Sequence, residues 1–188
     1  MTRVLIIQSS PRKKGNTAAL AERVADGARS AGATVDSIYL HQMDLRPCDA
    51  CDACRGEPYR GCIIEDDMQS IYPLLRQADA LVIATPVYWF TVSAQAKLFM
   101  DRCYAMVTAQ GYELCGKKVG IVMTYGDADP FVSGAVNALR TFQDAYNYVG
   151  ARIVGMVYGT ADKPGEIRNN PDVMARAYQL GQQLAAAG

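Results

Sequence analysis

Charge of one sign is not in excess here: 19 Lys and Arg stand against 19 Asp and Glu, with an isoelectric point near 6.6. That balance leaves no electrostatic footprint for nucleic acid. No apolar run approaches the ~20 residues that cross a bilayer, so no membrane segment is expected. A strand pattern begins at once, with no signal or transit segment ahead of it, and the expected location is cytoplasmic. There is one Trp and one His. That His41 reads as an ordinary strand-end residue rather than a ligand. Repeats and low-complexity tracts are missing. So are G-x-x-x-x-G-K-[ST], which excludes a P-loop, and G-x-G-x-x-G, which excludes the dinucleotide fingerprint.

What is present is an alternation. Half of the 188 residues are apolar, enough for a sizeable core and one domain over 1–188. Short β-branched or apolar runs at 4–7, 34–39, 80–84, 118–124 and 152–158 read as strands. Between them, apolar residues at helical spacing mark helices over 18–31, 69–77, 93–106, 133–149 and 172–187. Asp66 or Asp67 is placed to cap the second of these. Thr85-Pro86 is expected to stop the third strand. Strands alternating with helices predict an α/β fold, a doubly wound five-stranded parallel sheet with helices on both faces. The order 2-1-3-4-5, flavodoxin-like, puts a ligand where strands 1 and 3 diverge.

The loop after strand 1, residues 9–17, reads Ser-Ser-Pro-Arg-Lys-Lys-Gly-Asn-Thr. A strand, a loop of hydroxyls, amide and cations, then a helix N-terminus is a recipe for binding phosphate. Ser10, Asn16 and Thr17 are candidate side-chain donors, Arg12 and Lys14 supply charge, and Gly15 lets the backbone bend close. The plainer alternative is a solvated turn with Thr17 as N-cap. Across the crevice, the loop after strand 3 carries Pro86, Val87, Tyr88, Trp89 and Phe90. Three successive aromatics after a proline cannot all point inward, so at least one faces the crevice or a partner subunit. A phosphate cradle opposite an aromatic shelf suits FMN. The loop after strand 4, with Tyr125, Gly126 and Asp127, borders the same crevice.

Between strand 2 and helix 2 lie about 25 residues with little pattern, and loops longer than ~15 residues are usually functional or disordered. A cysteine-rich insertion at about 44–66 holds Cys48, Cys51, Cys54 and Cys62, a C-x2-C-x2-C-x7-C pattern. Six cysteines in a cytosolic chain are not expected to form disulfides. C-x2-C-x2-C puts three sulfurs on one compact turn, as in [4Fe–4S] ferredoxins. Structural zinc takes two C-x2-C knuckles with a longer spacer, which is absent. Zinc, or cysteines holding no metal, are the alternatives. Cys103 and Cys115 stand outside the pattern, and Cys103 reads as a small buried apolar residue.

The run from Ser10 to Thr17 resembles the SPRKxGNT phosphate loop of the NADPH-dependent FMN reductase-like flavoproteins. Asp66-Asp67-Met68, Pro86-Val87-Tyr88-Trp89 and Lys97-Leu98-Phe99-Met100-Asp101-Arg102 resemble that family's later motifs. Within the family, the four cysteines are similar to the iron–sulfur flavoproteins' C-x2-C-x2-C-x4–7-C. The resemblance implies that Ser10, Arg12, Asn16 and Thr17 hold the FMN phosphate. It implies that Pro86, Val87, Tyr88 and Trp89 line the isoalloxazine, with Tyr125 and Gly126 on its other edge. A homodimer or homotetramer with the flavin near a subunit boundary is implied as well.

The leading expectation is therefore an FMN-dependent oxidoreductase whose [4Fe–4S] cluster passes single electrons between a ferredoxin-type partner and FMN. No catalytic side chain is required, because the flavin carries the chemistry. A second reading is an NAD(P)H-dependent FMN, quinone or azo-compound reductase without a cluster, with NAD(P)H as a transient donor. A third is a non-enzymatic flavodoxin-like electron carrier, against which the balanced charge argues.

Overall fold

Along β1 (Arg3–Gln8) the side chains alternate between two cores, Val4 and Ile6 entering one and Leu5 and Ile7 the other. A strand covered on both faces has no polar side to show, which is why it reads as a continuous apolar run. The computed structural model describes residues 1–186 and carries this pattern through α1 (Asn16–Ser30), β2 (Thr34–Tyr39), α2 (Met68–Gln77) and β3 (Ala80–Tyr88). It continues through β4 (Thr91–Val92), α3 (Ala94–Arg102), β5 (Val107–Thr108), β6 (Gly111–Tyr112) and β7 (Lys118–Tyr125). The chain closes with α4 (Ala135–Tyr148), β8 (Arg152–Thr160) and α5 (Pro171–Ala185). The expected end of the last helix at Ala187 lies outside the described residues.

The parallel strands run in the order β2-β1-β3-β7-β8, which is 2-1-3-4-5 when only the long strands are counted. α1 and α5 cover one face, burying Leu20, Val24, Leu180 and Leu184 against Val4, Ile6, Val82 and Val122. α2, α3 and α4 cover the other, burying Ile71, Leu75, Phe99 and Phe142 against Leu5, Ile7, Ile83 and Ile121. α1 and α5 cross backbone to backbone. A Cβ on Gly27 would stand 1.9 Å from the Tyr178 carbonyl oxygen, and one on Gly181 would stand 2.0 Å from that of Val24.

Three of the departures from the expected boundaries bear on the site, each for a local reason. β3 does not stop at Thr85-Pro86. It pairs with β7 as far as Pro86 opposite Thr124, then folds back on β4 through Val87–Val92 and Tyr88–Thr91. β1 ends opposite Ala84, so Pro86 lies beyond its neighbour on that side and its missing N–H costs no ladder bond there. α1 starts at Asn16 with Gly15 as N-cap, so Thr17 is inside the helix and does not cap it. α3 ends at Arg102 and gives way to a 3-10 turn over Cys103–Ala105, then to the small β5–β6 hairpin.

Candidate functional site

β1 delivers Ser9 to the carboxyl edge of the sheet, where it is locked from three sides. Its N–H and hydroxyl both donate to the Ala84 carbonyl, at 2.9 and 3.1 Å, and Ser93 Oγ donates to Ser9 Oγ at 2.9 Å. From this anchor the loop turns back into α1. Gly15 N–H donates to Arg12 O at 2.9 Å, and a Cβ on Gly15 would stand 3.0 Å from Arg12 Cβ and 3.1 Å from that carbonyl oxygen. Glycine is what lets the loop curl this tightly. Gly15 gives α1 no side-chain cap, so its first-turn N–H groups stay available to an anion, with the macrodipole behind them. Ser10 is buried and accepts from Arg12 N–H at 3.2 Å, while Arg12, Lys13 and Lys14 stand exposed around it.

Asn16 and Thr17 sit at this N-terminus, but their side chains are engaged within the protein. Asn16 Nδ2 donates to the carbonyls of Ala161 and Lys163, and its Oδ1 accepts from Ile167 N–H. Thr17 Oγ1 shares a 2.7 Å hydrogen bond with Thr124 Oγ1 at the end of β7. What these two residues offer an anion is backbone N–H. Their side chains knit α1 to the carboxyl ends of β7 and β8.

The β3–β4 hairpin turns on Trp89 and Phe90 alone, at φ 47° and 67°. Such a turn favours Asn-Gly, and two bulky residues with positive φ are outliers of the kind that concentrates at ligand clamps. Packing holds them there. Asn137 Nδ2 donates to Phe90 O at 3.1 Å, and Gly134, at φ 77°, approaches so closely that its Cβ would stand 2.5 Å from Phe90 Cα. The tip is left bare: Trp89 is 92% exposed, with Tyr88, Phe90, Phe131 and Val132 also exposed. Tyr125 is buried at the end of β7, and burial raises its hydroxyl pKa. Gly126 and Asp127 follow it on the surface.

The cysteine insertion is closed at its neck by two carboxylates. Asp67 Oδ2 accepts from Asp44 N–H and Asp66 Oδ2 from Arg46 N–H, each at 2.8 Å. Asp67 is the N-cap residue of α2 but makes no side-chain bond there, whereas Asp66, one residue earlier, accepts from Met68 N–H with its Oδ1. Behind the neck lies Arg102, the largest fully buried side chain among the described residues. It forks onto both oxygens of Asp66, donates to Arg46 O at 2.8 Å, and reaches Cys62 Sγ at 3.4 Å. Its Nε is buried with no partner.

Cys48, Cys51, Cys54 and Cys62 line one cavity of about 30 Å³ together with Arg102. Cys54 is buried, Cys62 half-buried, and Cys48 and Cys51 exposed. Burial pushes the Cys54 thiol up, with Cys62 and Cys48 close enough to add to the effect. Between them Ala50 and Asp52 take φ 51° and 53°, the left-handed backbone found in N–H nests around anions and Fe–S sites. Among the described residues, no three His, Cys, Asp or Glu side chains are gathered tightly enough to grip one metal ion. Arg55 clamps the loop from outside, lying 3.9 Å from the Tyr104 ring centroid and donating to the Tyr112 hydroxyl at 2.8 Å. Cys103 has its thiol pushed up to about 12 by burial, while Cys115 is exposed. His41 is exposed beside Gln95.

Sequence reasoning missed Arg102, Asp66 as its partner, and Arg55. The available signal was an arginine continuing the stripe Ala96, Phe99, Arg102, the buried positions of α3.

Comparison with known proteins bears on this geometry. The profile of the NADPH-dependent FMN reductase family matches residues 2–163. An iron-sulfur flavoprotein from Methanosarcina thermophila is 30% identical over 149 residues, 79% of this chain and 75% of that one. A Bacillus subtilis protein, whose name gives it provisionally as an NAD(P)H-dependent FMN-containing oxidoreductase, is 26% identical over 95% of this chain and 96% of its own. Among solved structures, an NAD(P)H:quinone oxidoreductase from Methanothermobacter marburgensis superposes with a TM-score of 0.77 at 20% identity, covering 100% of this chain and 98% of that one. That likeness is one of fold.

Proposed function

The chain belongs to the NADPH-dependent FMN reductase family, and from that premise we propose that it is an FMN oxidoreductase carrying a [4Fe–4S] cluster on Cys48, Cys51, Cys54 and Cys62. The observation that carries the proposal is the convergence of these four thiols, from 15 residues of chain (48–62), on one cavity walled by a buried guanidinium. The residues fit the group in three respects. The donor set is all thiol, the left-handed backbone at Ala50 and Asp52 suits a sulfur-rich anion, and Arg102 Nε is buried without a partner beside it. Cys48 and Cys51 line the cavity from its exposed side, and Cys54 and Cys62 from its buried and half-buried side.

For FMN the fit rests on the uncapped start of α1 and the curl at Gly15 that a side chain would fill. Bound FMN supplies the redox chemistry, taking electrons in a pair or one at a time. The chain binds and orients it. The N–H groups of Asn16 and Thr17, with Ser10, Arg12 and Lys14, hold the phosphate. Pro86, Val87, Tyr88, Trp89 and Phe90 form the shelf for the ring, and Tyr125, Gly126 and Asp127 border its other edge. The bare aromatics at the hairpin tip support a homodimer or homotetramer that covers them. A ferredoxin-type partner in the cytoplasm is the proposed one-electron donor. Among the described residues no helix is long and apolar enough to cross a membrane.

The second reading, an NAD(P)H-dependent reductase without a cluster, is favoured by the near full-length match to the Bacillus subtilis protein. One anaerobic preparation decides between them. About four iron and four sulfide per chain, with broad absorbance near ~400 nm beneath the flavin bands, supports the cluster. Zinc alone, or no metal, together with steady-state NADPH oxidation, overturns it in favour of the second reading.

A further inference from the structure

We propose that Arg102 sets the reduction potential of the cysteine centre, with Asp66 as its counterweight; this rests on the cluster reading above. Arg102 and Asp66 have side chains 1% and 0% exposed, so water screens neither charge from the cavity beside them. The guanidinium lies nearer that cavity: its Nη2 donates toward Cys62 Sγ at 3.4 Å, and it lines the wall that all four thiols share. The carboxylate is paired with the guanidinium and is not among the residues that line the cavity. Its negative charge is further spread over N–H bonds from Arg46 and Met68 at 2.8 and 2.9 Å. Hydrogen bonds to ligand sulfur and local net charge are two of the levers that place an Fe–S potential. Adding one electron makes the centre more negative, so the nearby cation stabilises the reduced form more than the oxidised one. Asp66 opposes it from farther away.

Tyr72 supports this arrangement by donating from its hydroxyl to Arg102 O at 2.9 Å, which fixes the last turn of α3. The orphaned Nε fits the same assignment. A buried donor with nothing to accept from it is costly, and a sulfur-rich anion in the cavity is an acceptor of the right charge. Arg102 is a positioning and charge-setting residue here, not a catalytic one.

The test is a mediated one-electron titration of the anaerobically reconstituted full chain, read by the electron paramagnetic resonance of the reduced cluster so that flavin does not contribute. Arg102→Gln should make cluster reduction about tenfold less favourable, a midpoint lower by about 59 mV. Asp66→Asn should shift it upward several-fold, and Arg102→Lys, which keeps the charge, should stay closer to the parent protein than Arg102→Gln. A merely structural pair would move both neutral variants the same way, or not at all. Either result, with cluster content intact, overturns the proposal. Should Arg102→Gln fail to load a cluster, Asp66→Asn decides by sign: an upward shift supports the assignment, and a downward shift or none overturns it. Absence of iron and sulfide from the parent protein overturns the cluster reading itself, whereas a parent cluster whose potential ignores the variants overturns only the role of Arg102.

Discussion

Replacing Trp89-Phe90 by Asn-Gly should stabilise the FMN-free protein and weaken its hold on FMN. Both residues stand at positive φ, 47° and 67°, in a two-residue turn whose favoured sequence is Asn-Gly. The left-handed region costs an ordinary L-residue roughly 1–2 kcal/mol, so relieving both positions, with Asn still paying part of that cost, returns about 2–3 kcal/mol. Against that stands lost burial. Trp89 is 92% exposed and gives up little, whereas Phe90 is 53% exposed, so about half of the 1.5–3 kcal/mol for full burial, some 1 kcal/mol, is lost. The bond from Asn137 goes to the Phe90 carbonyl and survives the exchange. The net gain is about 1–2 kcal/mol, which for a chain of this size raises the melting temperature by about 2–8 °C. The assay is thermal unfolding of dilute, FMN-free protein, since bound flavin would itself stabilise the native state. Calorimetric titration should then show FMN affinity lower by roughly 2- to 12-fold for each aromatic ring removed from the shelf. An unchanged or lower melting temperature refutes the strain argument. Unchanged FMN affinity refutes the shelf.

Three further outcomes follow from the same geometry. Gly134→Ala puts a Cβ 2.5 Å from Phe90 Cα at a φ of 77°, so urea unfolding should show a loss above ~2 kcal/mol and the hairpin should become protease-sensitive. Asn16→Ala strands two carbonyls and the Ile167 N–H, so stability measured without FMN should fall by about 2–3 kcal/mol; an effect seen only with FMN present would contradict the clamp. Burial pushes the Asp66 carboxyl up, but bonds from Arg102 and from the N–H groups of Arg46 and Met68 outweigh it and hold the group below its ordinary value. Its contribution is therefore complete above the unfolded value of about 3.9 and lost as pH falls through the lower folded value. Asp66→Asn should flatten the acid limb of the unfolding curve below about pH 4, and an unaltered limb would refute the assignment.

The sheet was legible because its residues obey one rule at a time. Val4-Leu5-Ile6-Ile7 and Ala80-Leu81-Val82-Ile83-Ala84 are buried on both faces, so burial reads directly as an apolar run. The strand order was legible as well, and it alone determines which loops lie at the carboxyl edge. What escaped was whatever depends on partners distant in sequence. Pro86 looks like a strand stop until β1 is seen to end opposite Ala84. Trp89 and Phe90 read as loop aromatics with at least one facing outward, but not as the turn itself, because no sequence rule expects bulky side chains at positive φ. Asn16 looks like a ligand donor until residues 161–167, some 150 positions on, claim its side chain. Arg102 looks like a solvated helix end until Asp66 arrives from across the cysteine insertion.

One helix joins these two centres. At its start Ser93 caps α3 and donates to Ser9 beside the phosphate cradle; at its end Arg102 holds Asp66 and touches Cys62. Nine residue steps at ~1.5 Å each put Ser93 and Arg102 about 14 Å apart along a rigid element, buried on its core face through Ala96 and Phe99. Within one chain the separation of the flavin cradle and the cysteine cavity is therefore set by helix length and not by loop conformation. Changes confined to the insertion, such as thiol substitutions at the exposed Cys48 or Cys51, should leave the cradle and its FMN affinity intact. Changes that break α3 should damage both centres together, because Ser93 and Arg102 lose their common support. Leu98→Pro, mid-helix, is the discriminating case: loss of flavin with metal content retained would show that the insertion is held by its own neck and not by the helix behind it.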